Sequence, residues 1–320
     1  MRIGEVDIPA AILRRDAILA GFTDNELRGP SWQQVHRGLY MESADAVGLT
    51  EEQRHRVLTR GVFAAARSTV VVTHVSAAIA HGLPVWHIPL TPVHLSRDRS
   101  AGGRIRRRAV VHSMPIAPDE CTLIDDLPVT TVARTVVDLA RSVPFEQAVV
   151  VGDAALRLGK TTRDELFEQI ARAKGRTGRP QASRVVQFLD GRTENPGESR
   201  SRVAMRTSNL PSPELQARIL TPSNSQVARV DFLFPDLGVI GEFDGAIKYR
   251  AELRGTLTHE DVVIAEKIRE DALRHLGWTV TRWTWRNLDH PHTWLKQLSA
   301  AADIARNTTR LGTWLPTNRI

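Results

Sequence analysis

The sharpest hydrophobic pattern in the chain runs from Val230 to Asp244. Val230-Asp231-Phe232-Leu233-Phe234, then Pro235-Asp236-Leu237-Gly238, then Val239-Ile240-Gly241-Glu242-Phe243-Asp244 read as strand, turn and strand. A register centred between Asp236 and Leu237 pairs 234 with 239, 232 with 241, 231 with 242 and 230 with 243. It collects Val230, Phe232, Phe234, Val239, Gly241 and Phe243 on one apolar face and leaves Asp231, Glu242 and Asp244 on the other. A slip of one residue would mix charges into the apolar face, so the pattern selects this register. Around the hairpin the chain predicts a helix over Pro196–Ser208, a strand over Glu214–Leu220, a helix over Thr258–Leu276, a strand over Trp278–Trp285 and a helix over Leu288–Ala305. In the Thr258 helix, Thr258 and Asp261 cap the start, Ala265, Ile268, Ala272 and Leu276 form an apolar stripe, and Gly277 ends it.

Earlier segments are shorter and mixed. A helix is expected over Ala10–Ala20, then a capping box at Thr23–Glu26 and a strand-like stretch from Trp32 to Tyr40. Beyond Thr50 the pattern predicts a helix over Glu51–Arg67, strands over Thr69–Thr73, Val93–Leu95 and Val110–His112, and a short helix over Ser76–Pro84. Helices over Thr131–Ser142, Phe145–Leu158 and Thr162–Ala173 follow. The basic stretch Lys174–Pro180, punctuated by glycine and proline, marks a boundary. The expectation is an α+β multidomain chain: a winged-helix-like element over 1–45, a mixed α+β domain over 46–174, a basic linker and helix over 175–194, and an αβββαβ domain over 195–320.

Composition narrows the function. No run approaches the ~18 apolar residues of a membrane span, and the N-terminus is too charged for a signal peptide. Cys121 stands alone, which argues against a disulfide framework or a cysteine zinc site and favours the cytoplasm. The net charge is +7, carried by arginine, since only Lys160, Lys174, Lys248, Lys267 and Lys296 are lysines. Codon bias would produce such an excess; so would selection for bidentate phosphate contacts with a polyanion.

The acids of the hairpin carry the chemistry. Like charges directly opposite destabilise a sheet, and two carboxylates at ~5 Å cost roughly 3 kcal/mol at an effective dielectric of ~20. A hard divalent cation such as Mg²⁺, for which Mn²⁺ would substitute, reverses that cost through oxygen ligands. Glu242 and Asp244 could instead be paired with arginines on the neighbouring helix. Asn195-Pro196-Gly197-Glu198 reads as N-cap, N1 proline and capping-box glutamate, so Glu198 has a structural role available besides a metal-site role.

The order αβββαβ, an acid in its first helix, and D-(x)10-E-x-D on the second and third strands resemble the PD-(D/E)XK nuclease-like superfamily. VARVDFLFPDLGVIGEFDG followed by EKIREDALRHLGWTVTRWTW resembles its Vsr-like branch, related to very-short-patch-repair endonucleases. The resemblance covers roughly residues 195–306. It implies Mg²⁺-dependent endonuclease or nicking activity on double-stranded DNA in defence or repair, with Asp231, Glu242 and Glu198 as metal ligands. At the third triplet position Asp244 stands where lysine is expected, which leaves Lys248 and Lys267 to supply the cation. Residues 1–172 resemble AbiE-type abortive-infection antitoxins of toxin–antitoxin systems, through HRGLY, SAAIAHGLP and LPVTTVARTVVDLA. That second resemblance implies a toxin or other protein partner, and an alternative function as a non-catalytic antitoxin-like transcriptional regulator with a degenerate nuclease domain.

Arg97, Arg99, Arg104, Arg106, Arg107 and Arg108 crowd one glycine-containing loop, read either as a solvated hairpin tip or as a phosphate-tracking surface. Arg28 and Arg37 are further DNA-contact candidates on the winged-helix-like element. His74, His81, His87, His94 and His112 lack helical i, i+4 spacing and read as ordinary histidines. No P-loop, dinucleotide fingerprint or G-x-S-x-G elbow occurs.

Overall fold

The computed structural model describes residues 11–66, 69–98, 104–106, 108–245 and 259–317, with backbone alone for 104–106 and 259–263. It is a mixed α+β structure with three sheets and two compact units: Met1–Val151 with Lys160–Gln187, and Gly152–Gly159 with Phe188–Ile320. The first two expected domains thus fall within one unit. The division lies at 187/188, beyond the basic stretch, because that stretch leads into a helix whose Ala182, Val185 and Val186 are buried.

In the first unit β1 (Ile12–Leu13), β2 (Trp32–His36) and β3 (Leu39–Glu42) form a sheet in the order β1-β3-β2. With them lie α1 (Arg14–Leu19), α2 (Asp24–Leu27) and α3 (Ser43–Ala46). The expected Ala10–Ala20 helix starts only at Arg14, since Ile12 and Leu13 pair with Tyr40 and Leu39. The expected strand Trp32–Tyr40 is a hairpin that turns through Gly38 at φ +75°. Thr23 caps α2 as read: its hydroxyl accepts the Glu26 N–H, and Glu26 accepts the Thr23 N–H at 2.7 Å. α2 is a single turn, too short to present several side chains to a major groove.

The second sheet comprises β4 (Val71–Val72), β5 (Val93–Arg97), β6 (Arg104–Arg106), β7 (Ala109–Ser113), β8 (Cys121–Ile124) and β9 (Leu127–Thr130), in the order β6-β7-β5-β4-β9-β8. It accompanies α4 (Glu51–Ala64), α5 (His74–Ala80), α6 (Val132–Ser142), α7 (Phe145–Arg157), α8 (Arg163–Arg172) and α9 (Arg179–Phe188). The two strands flanking the arginine segment are parallel, with β6 antiparallel to β7. The reading of that segment as the tip of a simple hairpin is therefore corrected: parallel neighbours need a crossover, and β6 is part of it.

Arg134 on α6 is 1 % exposed and donates to Glu120 at 2.6 Å and to Asp138 at 2.7 Å. Arg141 shares Asp138 at 3.0 Å. Removing the guanidinium would leave buried Glu120 without its charge partner and Asp138 with Arg141 alone, so Arg134→Ala is expected to destabilise the protein by about 3–5 kcal/mol in denaturant unfolding. A loss under about 1 kcal/mol would show that these acids find other partners.

The second unit carries β10 (Glu214–Leu220), β11 (Gln226–Phe234), β12 (Val239–Asp244), β13 (Thr279–Thr284) and β14 (Thr313–Leu315), in the order β13-β12-β11-β10-β14. Among the described residues of this sheet, the β12–β13 pair is parallel and the other pairs are antiparallel. α10 (Pro196–Met205), α11 (His259–His275), α12 (Trp285–Leu288) and α13 (Pro291–Ala305) complete it. The hairpin register is the expected one over Phe232, Leu233 and Phe234, opposite Gly241, Ile240 and Val239, but the expected pairs 231 with 242 and 230 with 243 do not continue the ladder.

The faces differ from expectation at one point. Phe232, Phe234, Val239 and Phe243 share a cluster with Trp283, Trp294 and Leu298. Val230 instead packs with Leu233, Ile240, Leu273 and Trp278. The switch falls where Gln216 on β10 takes φ +54° between the Leu215–Phe232 and Ala217–Val230 pairs, a left-handed kink that breaks the period-two alternation of both strands. On α11 the expected apolar stripe holds only at its C-terminal half, where Ala272 and Leu276 are half-buried and Leu276 packs with Leu273 and Trp278. Ile268 is 64 % exposed and Ala265 is exposed, while Leu273 is 1 % exposed and Glu266, Arg269 and Glu270 are half-buried. Gly277 ends α11 at φ +86° as expected, and the Thr258 cap lies outside the described residues.

Candidate functional site

Glu198 on α10 and Asp231 on β11 approach each other beside the β10 kink, and Glu242 on β12 lies on the other side of Asp231. Glu198 is placed by the start of α10. The Asn195 side chain accepts the Glu198 N–H at 3.0 Å, and Pro196 sets the first helical position. A Cβ at Gly197 would collide with the Phe243 ring, so glycine there lets the first turn of α10 lie flat against β12. Glu198 is 3 % exposed, and its carboxylate accepts from the Glu194 N–H at 2.8 Å, Asn195 Nδ2 at 2.5 Å and Gln216 Nε2 at 3.0 Å. The capping role and the buried site role thus coexist, the carboxylate reaching the backbone one residue before the N-cap.

Asp231 stands opposite Gln216 on β11. The β11–β12 ladder ends at Phe232–Gly241, and Asp231 Oδ2 accepts the Phe243 N–H at 2.8 Å in place of the next backbone bond. Burial pushes the Asp231 carboxyl up to about 6, with the Glu242 charge adding and the Phe243 bond opposing. Glu198 is pushed up to about 8, first by burial and then by the charge of Asp231. Two carboxyls whose acidities are driven apart by mutual repulsion and dehydration are a frequent mark of a reacting centre. Among the described residues, no guanidinium is bonded to Asp231 or Glu198.

Glu242 differs. It is 7 % exposed and accepts from Arg269 of α11 at 3.0 and 3.1 Å and from Arg282 of β13 at 3.2 Å. Arg282 also reaches Glu266 at 3.3 Å and Glu270 at 3.0 Å, so one guanidinium spans three carboxylates. The alternative of arginine pairing on the neighbouring helix therefore holds for Glu242 in this state, and part of the expected repulsion with Asp231 is already offset. A recess of about 180 Å³ opens here, lined by Asp231, Glu242, Asp244, Arg229, Arg269 and Arg282 among others. Asp231, Glu242 and Asp244 all line it, whereas Glu198 is not among its lining residues. The oxygen donors suit a hard cation, and Glu242 would have to leave its guanidiniums to serve as a ligand.

Lys248 lies outside the described residues. Lys267 is exposed on α11 and lines a neighbouring hollow with Asp244, Glu270 and Arg274, not the acid recess. Arg229, Arg269 and Arg282 are the cations that do line the recess. Of the other expected contacts, Arg28 and Arg37 are exposed. Arg108 is exposed and donates to the Val35 carbonyl. Arg104 and Arg106 sit on β6 with undescribed side chains, and Arg107 lies outside the described residues. Trp283 and Trp285 are packing residues: Trp283 stacks on Trp294 at 4.4 Å, and Trp285 meets Phe243 edge-on at 5.1 Å.

Three of the histidines lie together although their spacing gave no sign of it. His74, His94 and His112 converge, with one ring nitrogen of each within 4.8 Å of the others. Their separations of 20 and 18 residues carry no periodic signal, because they come from a helix start and two parallel strands.

No family model matches the chain. It is 34 % identical over 151 residues to "Uncharacterized protein MT2308" of Mycobacterium tuberculosis (strain CDC 1551 / Oshkosh) and, equally, to "Uncharacterized protein Rv2248" of strain H37Rv. Each match covers 47 % of this chain and 52 % of the relative, so the chain spans about half the length of the curated relatives it matches. Among the described residues no helix is long and apolar enough to cross a membrane.

Proposed function

We propose that the second unit is a Mg²⁺-dependent DNA endonuclease or nicking domain of the restriction-endonuclease-like type, and that the first unit is an antitoxin-like, DNA- or protein-binding unit. The observation that carries the reading is the pairing of half-buried Asp231 with buried Glu198, two carboxyls both pushed up by burial, with Asp231 also lining a polar recess beside Glu242 and Asp244. A domain that only packs or binds gains nothing from dehydrating two acids together. Asp231, Glu242 and Glu198 would hold the cation, which supplies an activated water and offsets charge on a scissile phosphate. Arg229, Arg269 or Arg282 would take the electrophilic role that lysine fills in the resembled motif, since they line the recess and Lys267 does not. The test is nicking of supercoiled plasmid with Mg²⁺ or Mn²⁺. Cleavage that requires the metal supports the reading, and its absence over a range of metals and pH removes it.

A second reading is favoured by one observation. Arg282 and Arg269 already occupy Glu242, as they would in a domain that has exchanged metal for internal ion pairs. On that reading the chain is a non-catalytic antitoxin-like regulator that binds DNA without cutting it. Both readings use the +7 net charge. Duplex affinity is therefore expected to fall at least about tenfold between 50 and 200 mM salt, as phosphate contacts release counterions. A flat salt response in fluorescence anisotropy would contradict both.

A further inference from the structure

We propose that His74, His94 and His112 of the first unit form a site for one transition-metal ion of the Zn²⁺ or Co²⁺ class. This site is chemically distinct from the carboxylate site, because imidazole nitrogens suit Zn²⁺, Co²⁺ or Ni²⁺ whereas Mg²⁺ takes oxygen.

The geometry is built by the fold. His94 on β5 and His112 on β7 occupy neighbouring parallel strands, and His112 Nε2 lies 3.1 Å from His94 Nδ1. Two nitrogens each 2.0–2.1 Å from a tetrahedral zinc stand about 3.3 Å apart, so this edge is already near coordination length. His74, the first residue of α5, completes the triangle from above. It holds φ +52°, a left-handed conformation that a non-glycine residue adopts only when its surroundings impose it. Its Nδ1 lies 3.0 Å from Thr73 Oγ1, which Ser96 Oγ engages in turn at 3.1 Å, and this leaves Nε2 for an ion. The His74 and His112 rings stack at 3.9 Å and 19°, so loading turns one ring off the stack to make the lone pairs converge.

The surroundings fit a buried cation. The His94 N–H donates to Ser76 Oγ at 2.8 Å, and Ser76 is held by His55 Nε2 at 2.8 Å, which anchors β5 at the ligand. The nearby cations Arg134 and Arg141 are matched by Glu120 and Asp138, so an incoming ion meets little uncompensated positive charge. Burial lowers all three histidines, His94 to about 4, and each offers a neutral imidazole at pH 7. Three protein ligands leave a fourth position for water or an anion.

The test uses full-length protein with any affinity tag removed, stripped of metal and titrated with Zn²⁺ and then Co²⁺. One equivalent of either is expected to bind, with Co²⁺ developing the visible bands of a four-coordinate nitrogen site. His94→Ala and His112→Ala should each weaken binding at least about 100-fold, beyond the loss typical of altering a ligand's supporting partner. His87→Ala and Asp231→Asn should leave it unchanged, the latter separating this site from the acid recess. No stoichiometric uptake by the folded wild-type protein would overturn the proposal, whatever the variants do. Uptake that survives both histidine substitutions would overturn it equally.

Discussion

Asp231→Asn is expected to reduce Mg²⁺-dependent nicking at least about 10³-fold while leaving duplex affinity within about twofold. The side chain keeps its size and can still accept the Phe243 N–H through its amide oxygen, so β11 and β12 stay in place. What disappears is the negative charge that draws the cation, and transition-state stabilisation of several kcal/mol goes with it. Rates from single-turnover cleavage, read beside binding by anisotropy, separate the two effects. Equal activity in the variant would remove Asp231 from the site. Loss of binding together with activity would move the residue from chemistry to scaffold.

Glu198 yields the second large effect, and its sign is opposite for stability and for activity. Its carboxyl sits at about 8 in the folded protein against an ordinary 4.5. Between those values the folded state holds a proton that the unfolded state has released. In the absence of divalent metal, the contribution of Glu198 to stability should therefore be greatest at low pH and fall as pH rises from about 4.5 to 8, by on the order of 1 kcal/mol per pH unit at most, against an opposite contribution from the buried histidines held below the ordinary imidazole value. Asp231, raised to about 6, adds to the slope over its lower part. Glu198→Gln removes the titration. The variant should match the wild type below about pH 4 and exceed it increasingly up to about pH 8, while losing metal-dependent cleavage. Metal affinity of the wild type should run the other way and strengthen up to about tenfold per pH unit until the carboxyl has ionised. Thermal unfolding across this pH range, with and without Mn²⁺, reads all of this. A gap between Glu198→Gln and the wild type that fails to widen with pH in the absence of metal would contradict the burial argument.

Much of the second unit was legible because its signals are local. The hairpin register follows from Phe232, Phe234, Val239 and Phe243, the stop of α11 from Gly277, and the placement of Glu198 from Asn195 and Pro196. What escaped depends on partners far along the chain. Glu242 draws its guanidiniums from 27 and 40 residues away. β14 joins the sheet edge beside β10 after most of the unit has been laid down. The left-handed Gln216 leaves no local trace, since glutamine is not a residue that turns favour, yet it decides which face Val230 takes and supplies an amide to Glu198. The apolar stripe read for α11 held at Ala272 and Leu276 and failed at Ala265 and Ile268 for a related reason. There the sheet-facing side is set by the Glu266–Arg269–Glu270 ion pairs with β12 and β13, which a purely hydrophobic template does not see. The first unit was less legible still: short strands, a crossover through β6 and three converging histidines all depend on contacts that periodicity does not encode.

The most direct measurement is the anomalous scattering of crystals grown with Mn²⁺ near pH 8.5, where Glu198 is largely ionised. The account predicts a single strong peak within coordination distance of Asp231 and Glu242, with Glu242 withdrawn from Arg282 and Glu198 turned toward the ion or its water. A recess empty of manganese, with Glu242 still clasped by Arg269 and Arg282, would contradict it.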